Sequence, residues 1–443
     1  GRWGRGGPRR MSALLSLEQA PPCSVPLRFF LTAPLFGVLA AALLGWAGPQ
    51  ALASRWTDAA LALSHLLALG VLSMVMCGAL LQMLPVLVGV RVASPRLLAG
   101  ACHGLLVTGT LALAAGFLGA GALAFRLAAV LLGLGLGGFL LALGWGLARA
   151  PNTQDSVRGM RWAALGLLLV LALGLRLALG HAGLGLDLWR WPLTDLHLAV
   201  GLVGWIATLV AVVAWQVVPM FQMTPAYPAA LRRVLPPATF ALLAWLALAK
   251  WLGWPLPWLP WLLLAVLLGG FGLTTLRLLG QRRRKLGDSS LAYWRLGMAM
   301  LLLAALAAML AWWLPGAVAE RLLVTATVLF LAGFALSVAS GMLYKIVPFL
   351  VWLHWQQRLS SRLDLRHQLV LPNMRSILPE ARCRRQLQCH ALALALLLAA
   401  VWLPVLVRPA ALLWAASFAL LGMNLLQAGL LYQRECRRIE AGG

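Results

Sequence analysis

Long apolar runs, broken by short polar and mostly basic segments, follow one another along nearly the whole chain. Most runs reach the roughly 20 residues that a helix needs to cross a bilayer. The pattern predicts twelve spans, at 27–47, 58–90, 97–117, 121–148, 162–180, 193–220, 238–253, 258–280, 294–314, 321–353, 390–407 and 409–432. The expected fold class is therefore all-α, an integral membrane protein whose surroundings are a lipid bilayer. Its parts are an N-terminal segment (1–26), one membrane domain (27–432) and a short basic tail (433–443). Residues 1–10 precede Met11 and read as an over-extended start. The first apolar run is too long for a cleavable signal peptide and lacks its small-residue cleavage site. The longest polar connection is expected at 355–389.

Charge changes the picture by orienting it. A formal net charge of +25 would suggest nucleic acid in a soluble protein, but this chain is 62% hydrophobic and only 11% charged. Its basic residues form no patch. They punctuate the apolar runs, which excludes nucleic acid as a partner. Arginines collect after spans 2, 4, 6, 8 and 10 and at both ends, so the positive-inside rule puts both termini in the cytoplasm. Many of the 21 tryptophans fall at span ends, as an interfacial belt requires. The six cysteines lie in spans or in basic, cytoplasmic segments, so no structural disulfide is expected.

One pattern returns three times. Thr57 to Arg91 is a capped apolar run with His65 near its start and Gln82-Met-Leu-Pro85 near its end. Thr194 to Met220 repeats it with His197 and Gln216-Val-Val-Pro219, and Arg321 to His354 repeats it with Lys345-Ile-Val-Pro348 but no early histidine. Pro85, Pro219 and Pro348 lie 134 and 129 residues apart. A fixed period carrying a fixed local pattern marks an internal repeat, here of four spans. All three copies run from outside to inside. Three parallel four-helix units about a pseudo-threefold axis along the membrane normal are expected, unlike the inverted repeats of many transporters.

Candidate chemistry is sparse. Intramembrane histidines are functional candidates by default, and His65 and His197 lie at similar depth, about 10 Å or less below the outer end at 1.5 Å per residue. Gly201 and Gly204 follow His197 at i+4 and i+7, on its face of the helix. They read either as a bare strip beside a flat ligand or as helix-packing contacts. Met74, Met76, Met83 and Cys77 in span 2, with Met220 and Met223 after span 6, are soft donors that suit Cu(I), or simply packing residues. Cys102-His103 reads as packing. Cys383-x5-Cys389-His390 falls in the expected 355–389 connection without the spacing of a structural zinc site. Gln82, Gln216 and Lys345 each precede a proline by three, where they can satisfy carbonyls the proline leaves unpaired or line a polar entrance. The span interiors hold almost no acidic residues, which argues against a carboxylate proton relay.

Twelve spans, cytoplasmic termini and histidines in spans 2 and 6 resemble subunit I of the haem-copper oxidases and the related NnrS-type membrane proteins. Locally the resemblance rests on Ser64-His65 leading to Leu84-Pro85, and on Leu196-His197-x3-Gly201-x2-Gly204. It implies that His65 ligates a haem b near the outer side of a bacterial inner membrane, that His197 matches a copper ligand, and that the chain is linked to respiration, nitric oxide response or oxidase assembly. The similar depth of the two histidines suggests instead that both ligate one haem iron. Partners would be respiratory-complex subunits, and copper is a further family cofactor. Arg408, in the loop after span 11, matches one of the family's arginines for the haem propionates; Arg126, Arg176 and Arg321 are also available. The family's remaining ligands do not carry over. Span 7 has no histidine and span 10 has Thr325 and Thr327, so a complete oxygen reductase is not expected. The alternative is a cofactor-free transporter or an accessory scaffold subunit.

Overall fold

A computed structural model describes residues 21–88, 94–150, 155–185, 190–253, 256, 258–283, 286–360 and 369–441. Most of the N-terminal segment, Arg91 and Asp187 lie outside them, as do the side chains of Leu84 and Pro85. The described residues contain helices and no strand. Twelve helices are long and apolar enough to cross a membrane: α1 (Ser24–Leu52), α2 (Asp58–Met83), α3 (Pro95–Ala120), α4 (Ala122–Arg149), α5 (Asp155–His181), α6 (Pro192–Gln222), α7 (Ala229–Leu252), α8 (Leu259–Gly280), α9 (Ser289–Leu310), α10 (Gly316–Ser360), α11 (Glu380–Trp402) and α12 (Pro404–Ala441). The expected twelve-span, all-α class is the one the chain adopts.

The boundaries move where polar residues belong to helices. α11 starts at Glu380 rather than near 390, so Cys383, Cys389 and His390 are helical and not in a connection. Its first turns are two-faced: Arg382, Arg384 and Arg385 are exposed while Cys383, Gln386 and His390 are buried. A window of mean hydropathy averages over those faces and reports a loop. α10 likewise runs on to Ser360, and α12 absorbs most of the basic tail, reaching Ala441.

Burial sorts the helices into two sets. In α2, α6 and α10 the apolar windows are 78%, 72% and 67% buried, against 28–39% for every other helix except α1. The nine others neighbour one another in the cyclic order α12, α1, α3, α4, α5, α7, α8, α9, α11 and back to α12. The helices carrying the repeated pattern are therefore the inner ones, and α10 touches both α2 and α6. Each also carries a stretch of π-helix, at Leu66–Ser73, Val200–Ala207 and Leu329–Ala335. These stretches begin 134 and 129 residues apart, the spacing of the three prolines. A π-turn widens the helix and misaligns its carbonyls. In α6 the buried Thr208 hydroxyl answers one of them, donating to the Val203 carbonyl at 2.8 Å.

All three inner helices run the same way, so the bundle has a histidine side, where they begin, and a proline side, where they end. Polar ties close both. On the proline side Asp155 of α5 meets Arg232 and Arg233 of α7 at 3.2 and 3.7 Å, and Asp288, which caps α9, meets Lys345 of α10 at 2.6 Å. On the histidine side Asp195 of α6 takes Arg55 from the α1–α2 connection at 2.8 Å and Lys250 from the end of α7.

Candidate functional site

Thr57 starts the inner helix that carries the first histidine. Its hydroxyl accepts from the Ala60 amide at 3.2 Å, so the helix begins at Asp58 and His65 lies two turns in, just before the π-stretch. α6 is fixed at the same level by the Asp195 ion pairs, two residues before His197. The two imidazoles meet, with centroids 6.1 Å apart and planes only 18° from parallel. Residues 132 positions apart in the chain are thus neighbours where α2 and α6 face each other.

The proton on His65 is placed by its partner. Nδ1 lies 2.8 Å from the Leu61 carbonyl, an oxygen that only accepts, so Nδ1 donates and Nε2 keeps its lone pair. That is the state in which an imidazole binds metal, and a second hydrogen bond of this kind is what fixes a ligating histidine. His197 Nδ1 is buried with no partner. Its ring fits because Gly174 of α5 has no side chain: a Cβ there would lie 3.1 Å from His197 Cε1.

Rings continue the site outward. Phe117 of α3 stacks on His65 at 5.3 Å and meets His181 of α5 edge-on at 5.5 Å, and Phe125 of α4 stacks on His181 at 4.9 Å. Arg190 Nη2 lies 3.1 Å from His181 Nε2. Arg126 donates to the Ala182 carbonyl at 3.3 Å, beside this cluster.

The other candidates go elsewhere. Gly201 and Gly204 share a helix face with His197 but turn to α5 and α7: a Cβ would touch Val170 at Gly201 and Leu243 at Gly204, both at 3.2 Å. Gly166 of α5 lies so close that its own Cβ would fall 2.2 Å from the Gly204 carbonyl oxygen. Arg408 is exposed at the start of α12, and Arg321 lies over Trp402 at 5.9 Å. Thr325 accepts from Trp402 Nε1 at 3.2 Å. Met74, Met76 and Cys77 are buried in α2, whereas Met220 and Met223 are exposed at the end of α6, so the soft donors do not gather. His103 bonds to Thr32 at 2.9 Å, a packing role between α3 and α1. Gln216 accepts from Ser156 at 3.4 Å, Lys345 is paired with Asp288, and Gln82 Oε1 is buried without a partner. Among the described residues no three His, Cys, Asp or Glu side chains converge as a metal cluster.

A buried polar network on the proline side was missed by reasoning from sequence. Gln386 of α11 is its hub: its carbonyl accepts from the hydroxyls of Tyr293 and, at 3.1 Å, Tyr344, and its amide donates to Ser417 at 3.1 Å. Asn424 donates to Tyr344 at 2.9 Å, and His390, one turn beyond Gln386, bonds to Ser337 at 2.9 Å. The signal was present, since Cys383, Gln386 and His390 recur at helical spacing. It was hidden by the assignment of 355–389 to a connection.

Comparison with known proteins adds no identity: no family model matches the chain, and no curated protein matches it.

Proposed function

We propose that the chain is a redox-linked membrane protein that holds one haem b between His65 and His197. In this reading it sits on a haem-copper oxidase subunit I-like scaffold in a bacterial inner membrane, with both termini cytoplasmic and the histidine side outward. It would serve respiration, nitric oxide response or oxidase assembly beside respiratory-complex subunits. The observation that carries the proposal is the histidine pair itself. The two rings lie 6.1 Å apart and nearly parallel. Leu61 holds His65 Nδ1 so that Nε2 keeps its lone pair, and His197 Nδ1 has no partner among the described residues, so each ring has a nitrogen that would be free to hold iron. The scaffold reading is supported by the three inner helices, each packed against peripheral helices of its own quartet and each bearing a π-stretch at the repeat spacing.

Bound haem would supply one-electron or gas-binding chemistry at its iron. The chain's own part is narrower. Leu61 holds His65 in the ligating tautomer, Gly174 leaves room for the His197 ring, and Asp195 anchors α6 so that the two rings stay opposed. Gly201 and Gly204 serve the α5–α6–α7 packing in this geometry. Span 7 offers no histidine and α10 carries Thr325 and Thr327, which supports a function other than complete oxygen reduction. Among the described residues no third His, Cys, Asp or Glu joins the histidine pair.

The alternative, a cofactor-free transporter or accessory scaffold subunit, is favoured by the packed glycine strip and by Phe117 stacked on His65. Colour separates the two. Protein purified in mild detergent, after expression with ample haem, should give about one haem per chain by pyridine haemochrome. Its Soret band should collapse in His65→Ala and His197→Ala. A colourless protein would overturn the haem reading and leave the alternative.

A further inference from the structure

A cleft of about 60 Å³ opens on the histidine side, on a different flank of α2 from the histidine pair. It lies between α2 and α10, with Leu63, Leu67, Val328 and Leu331 among its apolar walls, and α11 and α12 close it. Neither His65 nor His197 lines it. At roughly 10–15 Å³ per water position, the space holds about four to six waters, or one six-membered ring or ester group.

Its polar groups are one-sided. The Ser64 hydroxyl donates to the Ala60 carbonyl at 2.7 Å and the Thr327 hydroxyl to the Leu323 carbonyl at 2.9 Å, so both have spent their protons on their own helices. Two N–H donors on the lining residues have no acceptor among the described residues. Arg55 Nε is buried and unpartnered, and so is Nε1 of Trp414, a residue only 2% exposed. Arg55 Nη1 is spent on Asp195 at 2.8 Å, so Nε is the donor Arg55 has left for the cleft. Trp205 and Trp215 also have unpartnered indole N–H groups, but they lie away from this cleft.

A site with apolar walls and spare N–H donors takes an apolar molecule that brings acceptor oxygens. We propose that this cleft binds the carbonyl-bearing head of a bilayer-soluble amphiphile, with Arg55 Nε and Trp414 Nε1 as its hydrogen-bond donors. Two sources supply that chemistry, a quinone ring and the ester head of a fatty-acyl lipid. The proposal is independent of any metal at the histidine pair.

The test uses the full chain in an alkyl maltoside, which carries no ester. Decylubiquinone is titrated in one arm and dioctanoylglycerol, a neutral diester, in the other, with decylbenzene as an oxygen-free competitor. One saturable site is expected in one arm, and that arm names the source; decylbenzene should not displace the probe. Trp414→Phe keeps the ring and removes the N–H, and should weaken binding about tenfold. Thr327→Leu fills the space and should abolish binding, with the thermal midpoint of each variant checking that it is folded. Absence of saturation in both arms would overturn the proposal and leave a cleft that holds water only. So would folded Trp414→Phe and Thr327→Leu proteins that bind like the parent.

Discussion

A single added methyl separates two kinds of glycine in this bundle. At Gly166 the new Cβ would fall 2.2 Å from the Gly204 carbonyl oxygen, a backbone atom that cannot swing aside. Gly166→Ala should force α5 off α6 and cost about 1–3 kcal/mol, read as a lower thermal midpoint in detergent. At Gly201 the Cβ meets only the end of the Val170 side chain at 3.2 Å, and a small rotation relieves it. Gly201→Ala should stay within about 1 kcal/mol of the parent and, in the haem reading, keep its Soret band. Equal losses in the two variants would contradict the α5–α6 contact described above. The comparison also shows what the sequence could tell. Spacing from His197 picks out Gly201 and Gly204. Nothing local picks out Gly166, because a close approach is a property of two helices and its partner lies 38 residues on. The histidines were legible for the opposite reason: a polar ring in an apolar span is conspicuous whatever faces it. A shared site for them was expected, but the 6.1 Å separation depends on how the inner helices pack.

Between helices, the Gln386 network is the densest polar feature on the proline side. Gln386→Leu is close in volume, yet it leaves the buried hydroxyls of Tyr293 and Tyr344 without their acceptor and Ser417 without its donor. Intramembrane hydrogen bonds average about 0.6 kcal/mol and reach about 1.7, so the loss should total about 1–3 kcal/mol. Detergent unfolding of the variant measures it; an unchanged midpoint would mean that the hydroxyls find new partners. Asp288→Ala makes a second case. It removes both the acceptor for the Leu291 amide at the start of α9 and the partner of Lys345, for about 1–2 kcal/mol. At this scale the sequence was legible in period and blind in conformation. The prolines display the repeat directly. The π-stretches at the same spacing leave no trace in hydropathy, because one extra residue per turn does not alter an all-apolar run. The α11 boundary failed for a different reason, since charge on one face of a helix lowers the average of both.

Across the whole molecule, three inner helices within a ring of nine explain how so basic a chain can sit in a bilayer. Arginines cluster where the inner helices end, and several cations on the opposite side are engaged, while Arg408 is exposed at the start of α12. Arg55 and Lys250 share Asp195, Arg190 meets His181, and Arg321 lies over Trp402. Exposed arginines such as Arg384 and Arg385 of α11 lie on the proline side. In the proposed orientation the positive-inside rule makes that side the cytoplasmic one. Alkaline phosphatase, which works only outside the cytoplasm, reads this directly. Fused after Trp313, between α9 and α10, it should be active; fused after Gln281, between α8 and α9, it should be silent. A green fluorescent protein at the same two points should give the reverse. If both reporters invert, the histidine pair faces the cytoplasm and an outer-side haem is no longer tenable, whatever the protein's colour. If they agree with the arrangement above, Asp195→Asn becomes informative. It unpairs Arg55 and Lys250 on the translocated side, and it should cost about 1 kcal/mol or less in detergent unfolding while leaving both reporters unchanged, because acidic residues contribute little to orientation.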